Sequence, residues 1–250
     1  MALPGNVVGD ARALLRDQIV SAQRRSHQFY IGLTLFLIVT VVTGFWPSYF
    51  GTFLRGGATR PLVMHVHGAI FTGWMALLFL QVGLAATGRV RTHRRIGTFG
   101  IWYGAAVFTM GVIATFAAPV IHVHAGEWTV DQAAGFLVLP IGDMILFGGF
   151  FGAAVKFRNK PEIHKRLIIA ATVALAFAAV ARMNFAPPIF FLIWMVPMAA
   201  LAAFDFRSTG RVHTVTTICI AVMVIAFPRV LLIENAAWVA VGRALLRPFL

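Results

Sequence analysis

Two histidine pairs and four polar residues set among apolar ones are the groups of this 250-residue chain with chemistry to offer. Met64-His65-Val66-His67 and His122-Val123-His124 are both His-x-His strings. Imidazole binds zinc and copper, so His65, His67, His122 and His124 form a candidate metal set. Successive helical residues turn by about 100°, so His65 and His67 face different ways, whereas i and i+4 would face together. No cysteine lies near, and the closest carboxylates are Glu127 and Asp131. The competing reading is an interhelical hydrogen bond from His67 and two surface histidines in a polar loop.

Asp143 falls in Pro140-Ile141-Gly142-Asp143, inside a long apolar run. Arg182, Asn184 and Arg229 fall at or near the ends of two later runs. A charge inside a membrane is costly, usually paired, and a functional candidate by default. One reading is therefore a polar ligand pocket in the outer leaflet, built from His65, His67, Asp143, Arg182, Asn184 and Arg229. The other is a structural Asp143–arginine pair with the remaining arginines reaching to the interface.

Haem b needs two histidines facing each other at matched depth, or one with an open site. His67 is set about two turns into its run, but His122 stands at a helix end. His27, His93, His164 and His213 all open helices among arginines. No P-loop, G-x-S-x-G or H-E-x-x-H string occurs, and no lysine lies deep in the last run where a Schiff base would need one.

The elements that position these groups are transmembrane helices. Hydrophobic residues make up 60% of the chain, well above a soluble domain's share, and mean hydropathy is +0.85. A spanning helix needs about 20 mostly apolar residues. Seven runs qualify: Phe29–Trp46, Leu62–Thr87, Ile96–Val120, Ala133–Phe157, Leu167–Phe185, Pro188–Phe204 and Thr214–Ile233. They are long and continuous, which predicts an all-α bundle rather than a barrel.

The net charge of +13 reads as topology. Arg12, Arg16, Arg24 and Arg25 precede the first run. Arg89, Arg91, Arg94 and Arg95 follow the second, Lys156, Arg158, Lys160, Lys165 and Arg166 the fourth, and Arg207 and Arg211 the sixth. These are 15 of the 21 lysines and arginines, all on one side. The positive-inside rule then places the N-terminus in the cytoplasm and the C-terminus outside. It accounts for the charge without nucleic acid; the expected partners are the lipid bilayer and other membrane subunits. The expected location is a bacterial inner membrane. No cleavable leader is expected, because the first apolar run follows a polar stretch and is long enough to span.

Three segments follow: a basic stretch over residues 1–27, the bundle over 28–234, and an outer-side amphipathic tail over 235–250. Val7, Ala11, Leu14, Leu15 and Ile19 give the first a stripe suited to lying on the cytoplasmic leaflet or, equally, to a frayed tail. Trp46, Tyr49 and Trp128 suit an interfacial belt. Gly148, Gly149 and Gly152 suit close helix approach. Cys219 is alone and reads as a small apolar residue. Thr87-Gly88-Arg89-Val90 returns as Thr209-Gly210-Arg211-Val212, and His93-Arg94-Arg95-Ile96 as His164-Lys165-Arg166-Leu167. Duplication of a hairpin and convergence on basic inner loops both explain the echoes.

The string from His65-Val66-His67 through Trp74, Gln81, Gly88-Arg89 and His93-Arg94-Arg95-Ile96-Gly97 resembles uncharacterised bacterial multi-pass membrane proteins of similar length. So do Pro161-Glu162-Ile163-His164-Lys165-Arg166-Leu167, Arg182 and Gly210-Arg211-Val212-His213, with Thr214 standing where those relatives carry proline. The resemblance implies a helical bundle and no reaction. The leading expectation is a non-catalytic protein that binds a small ligand in the outer-leaflet pocket or serves as an accessory subunit. A haem- or quinone-linked redox protein with His67 as ligand is the first alternative, and a proton-coupled transporter using Asp143 the second.

Overall fold

A computed structural model describes residues 7–57 and 60–250. Long apolar runs have one way to satisfy backbone N–H and C=O groups without water in a single segment, which is the α-helix. The helices are α1 (Val7–Phe45), α2 (Gly51–Leu54), α3 (Leu62–Ala86), α4 (Val90–His124), α5 (Val130–Phe136), α6 (Val138–Lys156), α7 (Pro161–Ala181), α8 (Pro187–Thr209), α9 (Thr214–Ala226) and α10 (Ala236–Leu246). Among the described residues there are no strands. Seven stretches are long and apolar enough to cross a membrane: Arg12–Leu54, Leu62–Ala86, Val90–His124, Val130–Lys156, Pro161–Ala181, Pro187–Thr209 and Thr214–Leu232.

The helices outrun the apolar runs that announced them. α1 is unbroken for 39 residues, about 58 Å, against a hydrocarbon core of about 30 Å. No change of element marks the boundary expected between residues 27 and 28; the basic stretch continues the same rod, with Leu14, Leu15 and Ile19 exposed along it. Residues 1–6 of that segment lie outside the described residues. The fourth span is interrupted at Leu137, between α5 and α6. Pro140 explains the break: it lacks the N–H that would bond the carbonyl of Phe136, and it is tolerated in the first turn of a new helix.

α7 is the centre. Ala170, Ala171, Val173, Ala174 and Ala179 are fully buried along it, and small side chains let its neighbours come close. The Trp74 indole on α3 donates to Thr172 Oγ1 at 3.2 Å, and the Trp194 indole on α8 donates to the Val173 carbonyl at 2.8 Å. α1 crosses α7 at Gly44, where a Cβ would stand 2.2 Å from the Ala179 carbonyl oxygen. The expected triplet does less: Gly149 and Gly152 face open space, and only Gly148 is covered, by the Phe108 ring.

The echoed strings have a shared structural cause. Gly88 (φ +71°) and Gly210 (φ +73°) both take the left-handed conformation just past a helix end, where glycine carries no Cβ penalty. The C-terminal tail folds back as α10 on α5. Its Trp238 indole donates to the Gly135 carbonyl at 3.1 Å, Arg243 pairs with Asp131, and Leu246 joins Ala133, Ala134 and Leu137 in a small second core.

Alternating helices gather the α3–α4, α6–α7 and α8–α9 connections at one end, here the basic end. The opposite end carries Tyr49, His65, Arg182 and the α4–α5 turn.

Candidate functional site

Asp143 and Arg229 meet. Asp143 is on α6, and Arg229 is in the 3₁₀ turn Phe227–Leu232 that follows α9. The Arg229 Nη2 donates to Asp143 Oδ1, and Nη1 donates to the Ala226 carbonyl at 3.0 Å. The two side chains are 9% and 7% exposed, so the pair is desolvated. The guanidinium carbon lies 4.4 Å from the centre of the Phe177 ring and 6.0 Å from that of Trp194, a cation on aromatic faces. Gly142 adjoins Arg229 closely: a Cβ there would come within 2.5 Å of Cδ and Nε. An open groove of about 440 Å³ borders the Arg229 side of the pair, lined by Gly142, Ile145, Ile225, Pro228, Arg229 and Leu232 among others, with Asp143 not in its lining.

The remaining pocket residues are distributed differently. The His65 Nδ1 lies 3.2 Å from the Tyr49 hydroxyl. Tyr49 also covers Gly68, where a Cβ would be 2.7 Å from the ring, so it is packed rather than a free interfacial anchor. His67 faces Phe71, ring centres 4.2 Å apart, and its buried Nδ1 has no partner. Arg182 caps α7, donates to the Ala178 carbonyl at 2.8 Å and lies over Phe45 at 4.4 Å. Its charge is close enough to act on His67. Asn184 is exposed and adopts φ +59° in the turn before α8, a backbone duty that asparagine tolerates well. Among the described residues no hydrogen bond or ion pair joins His65, His67, Arg182 or Asn184 to the Asp143–Arg229 pair.

The histidine strings do not converge on an ion. His122 contacts Glu127 at 2.5 Å and stacks on Trp128, while His124 is exposed. Among the described residues no three His, Cys, Asp or Glu side chains are placed to hold a metal.

Sequence reasoning missed a second buried charge cluster at the basic end. Arg166, counted above as a topology charge, forks onto Asp205: Nη2 to Oδ1 and Nε to Oδ2 at 3.3 Å. The Thr216 hydroxyl donates to Oδ2 at 2.5 Å, and the His213 backbone N–H at 3.2 Å. Nη1 of Arg166 bonds Glu162 at 2.7 Å. The signal was available. The chain has only 8 acids, and Asp205 stands between apolar residues near the end of a span.

His93 and His164 do equivalent jobs. The His164 Nδ1 donates to the Ala154 carbonyl at 2.8 Å, and the His93 Nδ1 lies 3.2 Å from the Gln81 carbonyl. Each ties the start of one helix to the end of the preceding one. His213 instead caps α9, its Nδ1 accepting from the Val215 N–H at 3.1 Å. Burial, and then the Arg166 charge, hold the His213 imidazole below its ordinary pKa.

Protein-family models, curated proteins and solved structures were each compared with this chain, and none matches it.

Proposed function

We propose that this protein is a non-catalytic, multi-pass membrane protein that holds a small ligand at the Asp143–Arg229 pair. One observation carries the reading. The arginine of a desolvated ion pair lines an open groove on an otherwise apolar helical surface. A pair kept only for stability gains little, since well-packed apolar residues of the same volume often serve as well or better. A ligand-facing role accounts for retaining the charge there. His67, with its unpartnered Nδ1 near Arg182, is a second polar point in the same half of the bundle.

The arginine-rich end faces the cytoplasm in this reading, because charge bias in short loops sets orientation. The resemblance noted in the sequence supports placing it in a bacterial inner membrane, alone or as an accessory subunit.

Native mass spectrometry of protein released from mild detergent tests the proposal. A stoichiometric small molecule, reduced in Asp143→Asn, supports it. Protein that carries none, in any detergent that keeps it folded, overturns it. A redox role is the second reading. His164 favours it, because an Nδ1–H held by a carbonyl leaves Nε2 oriented as in iron- and metal-binding histidines. A Soret band in the optical spectrum would move that reading ahead.

A further inference from the structure

The basic end carries a second open groove, of about 350 Å³, between α1 and the end of α3. Val20, Arg24, His27 and Ile31 are spaced by four, three and four residues, so they share one face of α1. Gln23 and Gln28 flank them, and Ala86 closes the groove from α3. The neighbouring Ser21 and Ser26 are bonded, to the Gln18 carbonyl and to Lys165. Among the described residues nothing bonds the side chains of Gln23, Arg24, His27 or Gln28. The carbonyls of Gly83, Leu84 and Ala85 at the end of α3 are taken by the N–H groups of Thr87, Arg89 and Gly88, so they do not oppose an anion there.

Charge and depth decide what the groove takes. No acid lines it. The nearest acid along α1, Asp17, lies seven residues from Arg24, about 10 Å by helix rise. The first apolar run begins at Phe29 and the second ends at Thr87, so the edge of the hydrocarbon crosses the groove. Gln23 and Arg24 fall on its polar side, Ile31 and Ala86 on its apolar side. Leu35 and Val42, exposed on the same face of α1 as Ile31, carry the apolar surface on into the bilayer. A free phosphate would use Arg24 and leave Val20, Ile31 and Ala86 idle. A zwitterionic lipid carries its own cation and has no net charge to offer Arg24. A lipid whose head is an uncompensated phosphodiester meets both halves of the lining.

We infer that this groove binds the phosphodiester head of an anionic phospholipid, held by Arg24, His27 and the Gln23 and Gln28 amides, with an acyl chain along Ile31 and Leu35. The site is separate from the Asp143–Arg229 pair and does not rest on the reading proposed for it.

The test is thermal unfolding of the purified full chain, stripped of lipid in mild detergent and titrated with phosphatidylglycerol, phosphatidylcholine or inorganic phosphate. The expected result is a saturable rise in midpoint with phosphatidylglycerol, little with phosphatidylcholine and none with phosphate. Arg24 is exposed, so Arg24→Gln keeps the fold; it should raise the half-saturating concentration about fivefold. Ala86→Phe fills the groove without changing charge and should weaken binding at least as much. Arg158→Gln, an equal loss of charge in the exposed turn after α6, should leave binding unchanged. Arg24→Gln decides if Ala86→Phe does not fold. Equal responses to the two lipids, a matching response to inorganic phosphate, or an Arg158→Gln loss as large as that of Arg24→Gln overturns the inference. So does undiminished binding in folded Ala86→Phe. If phosphatidylglycerol does nothing while native mass spectrometry finds a ligand that Asp143→Asn loses, this inference fails and the proposed function stands.

Discussion

Arg166 and Asp205 lock α7 to α8 across 39 residues of sequence, with side chains 6% and 1% exposed. The fork of the guanidinium matches the two carboxylate oxygens, and Thr216 and His213 from the neighbouring segment complete the acceptor's set. Three elements therefore converge on one carboxylate at the basic end.

Removing either partner should leave an uncompensated buried charge. Arg166→Ala or Asp205→Ala is expected to destabilise the fold by about 3–5 kcal/mol. Replacing both by leucine or methionine should recover much of the loss. Denaturant unfolding in detergent, compared across the two single variants and the double, measures it.

The exposed pair at the other end should behave oppositely. Arg243 and Asp131 are both more than half exposed. Asp131→Asn should leave the unfolding midpoint unchanged at physiological salt, because solvent and ions screen such pairs. A clear drop in midpoint would show that α10 depends on that pair rather than on its Trp238 and Leu246 packing.

Close helix crossing at Gly44 gives a third expectation. Gly44→Ala would press a methyl onto the Ala179 carbonyl and should cost about 1–3 kcal/mol. Gly149→Ala meets nothing within 4 Å and should be neutral or slightly stabilising through helix propensity. Similar losses at both positions would contradict the crossing described.

Acid should weaken the basic end through His213. Its imidazole is held below the ordinary histidine value, by burial first and then by Arg166, so the unfolded chain binds the proton more readily. Stability is fully present above the unfolded value of about 6.5 and declines as pH falls through it toward the folded value. Protonation also removes the Nδ1 lone pair that caps α9. His213→Asn keeps a capping oxygen and should flatten this part of the profile between about pH 5 and 7 in thermal melts.

The number and rough position of the spans were legible because hydropathy alone reports them. Their ends were not. Ile96–Val120 became Val90–His124, and Phe29–Trp46 became part of a far longer helix, since backbone hydrogen bonding continues into basic and polar residues that hydropathy excludes. Asp143–Arg229 was legible as two charges in apolar surroundings, which must find each other. The left-handed backbone of Asn184 was not legible, because composition does not report φ. Arg166 was hidden among fourteen other basic residues that topology explained equally well. Only three-dimensional proximity separated it from them.

The burial of α7 sets how this molecule can move. Two tryptophans from opposite neighbours, Trp74 and Trp194, bond to consecutive residues of α7, and α1 touches it backbone to backbone at Gly44. Any rearrangement that shifted α7 would break all three at once. α7 is then the stator: amide protons along Ile169–Val180 should be the slowest in the chain to exchange, and outer helices would do the travelling around it.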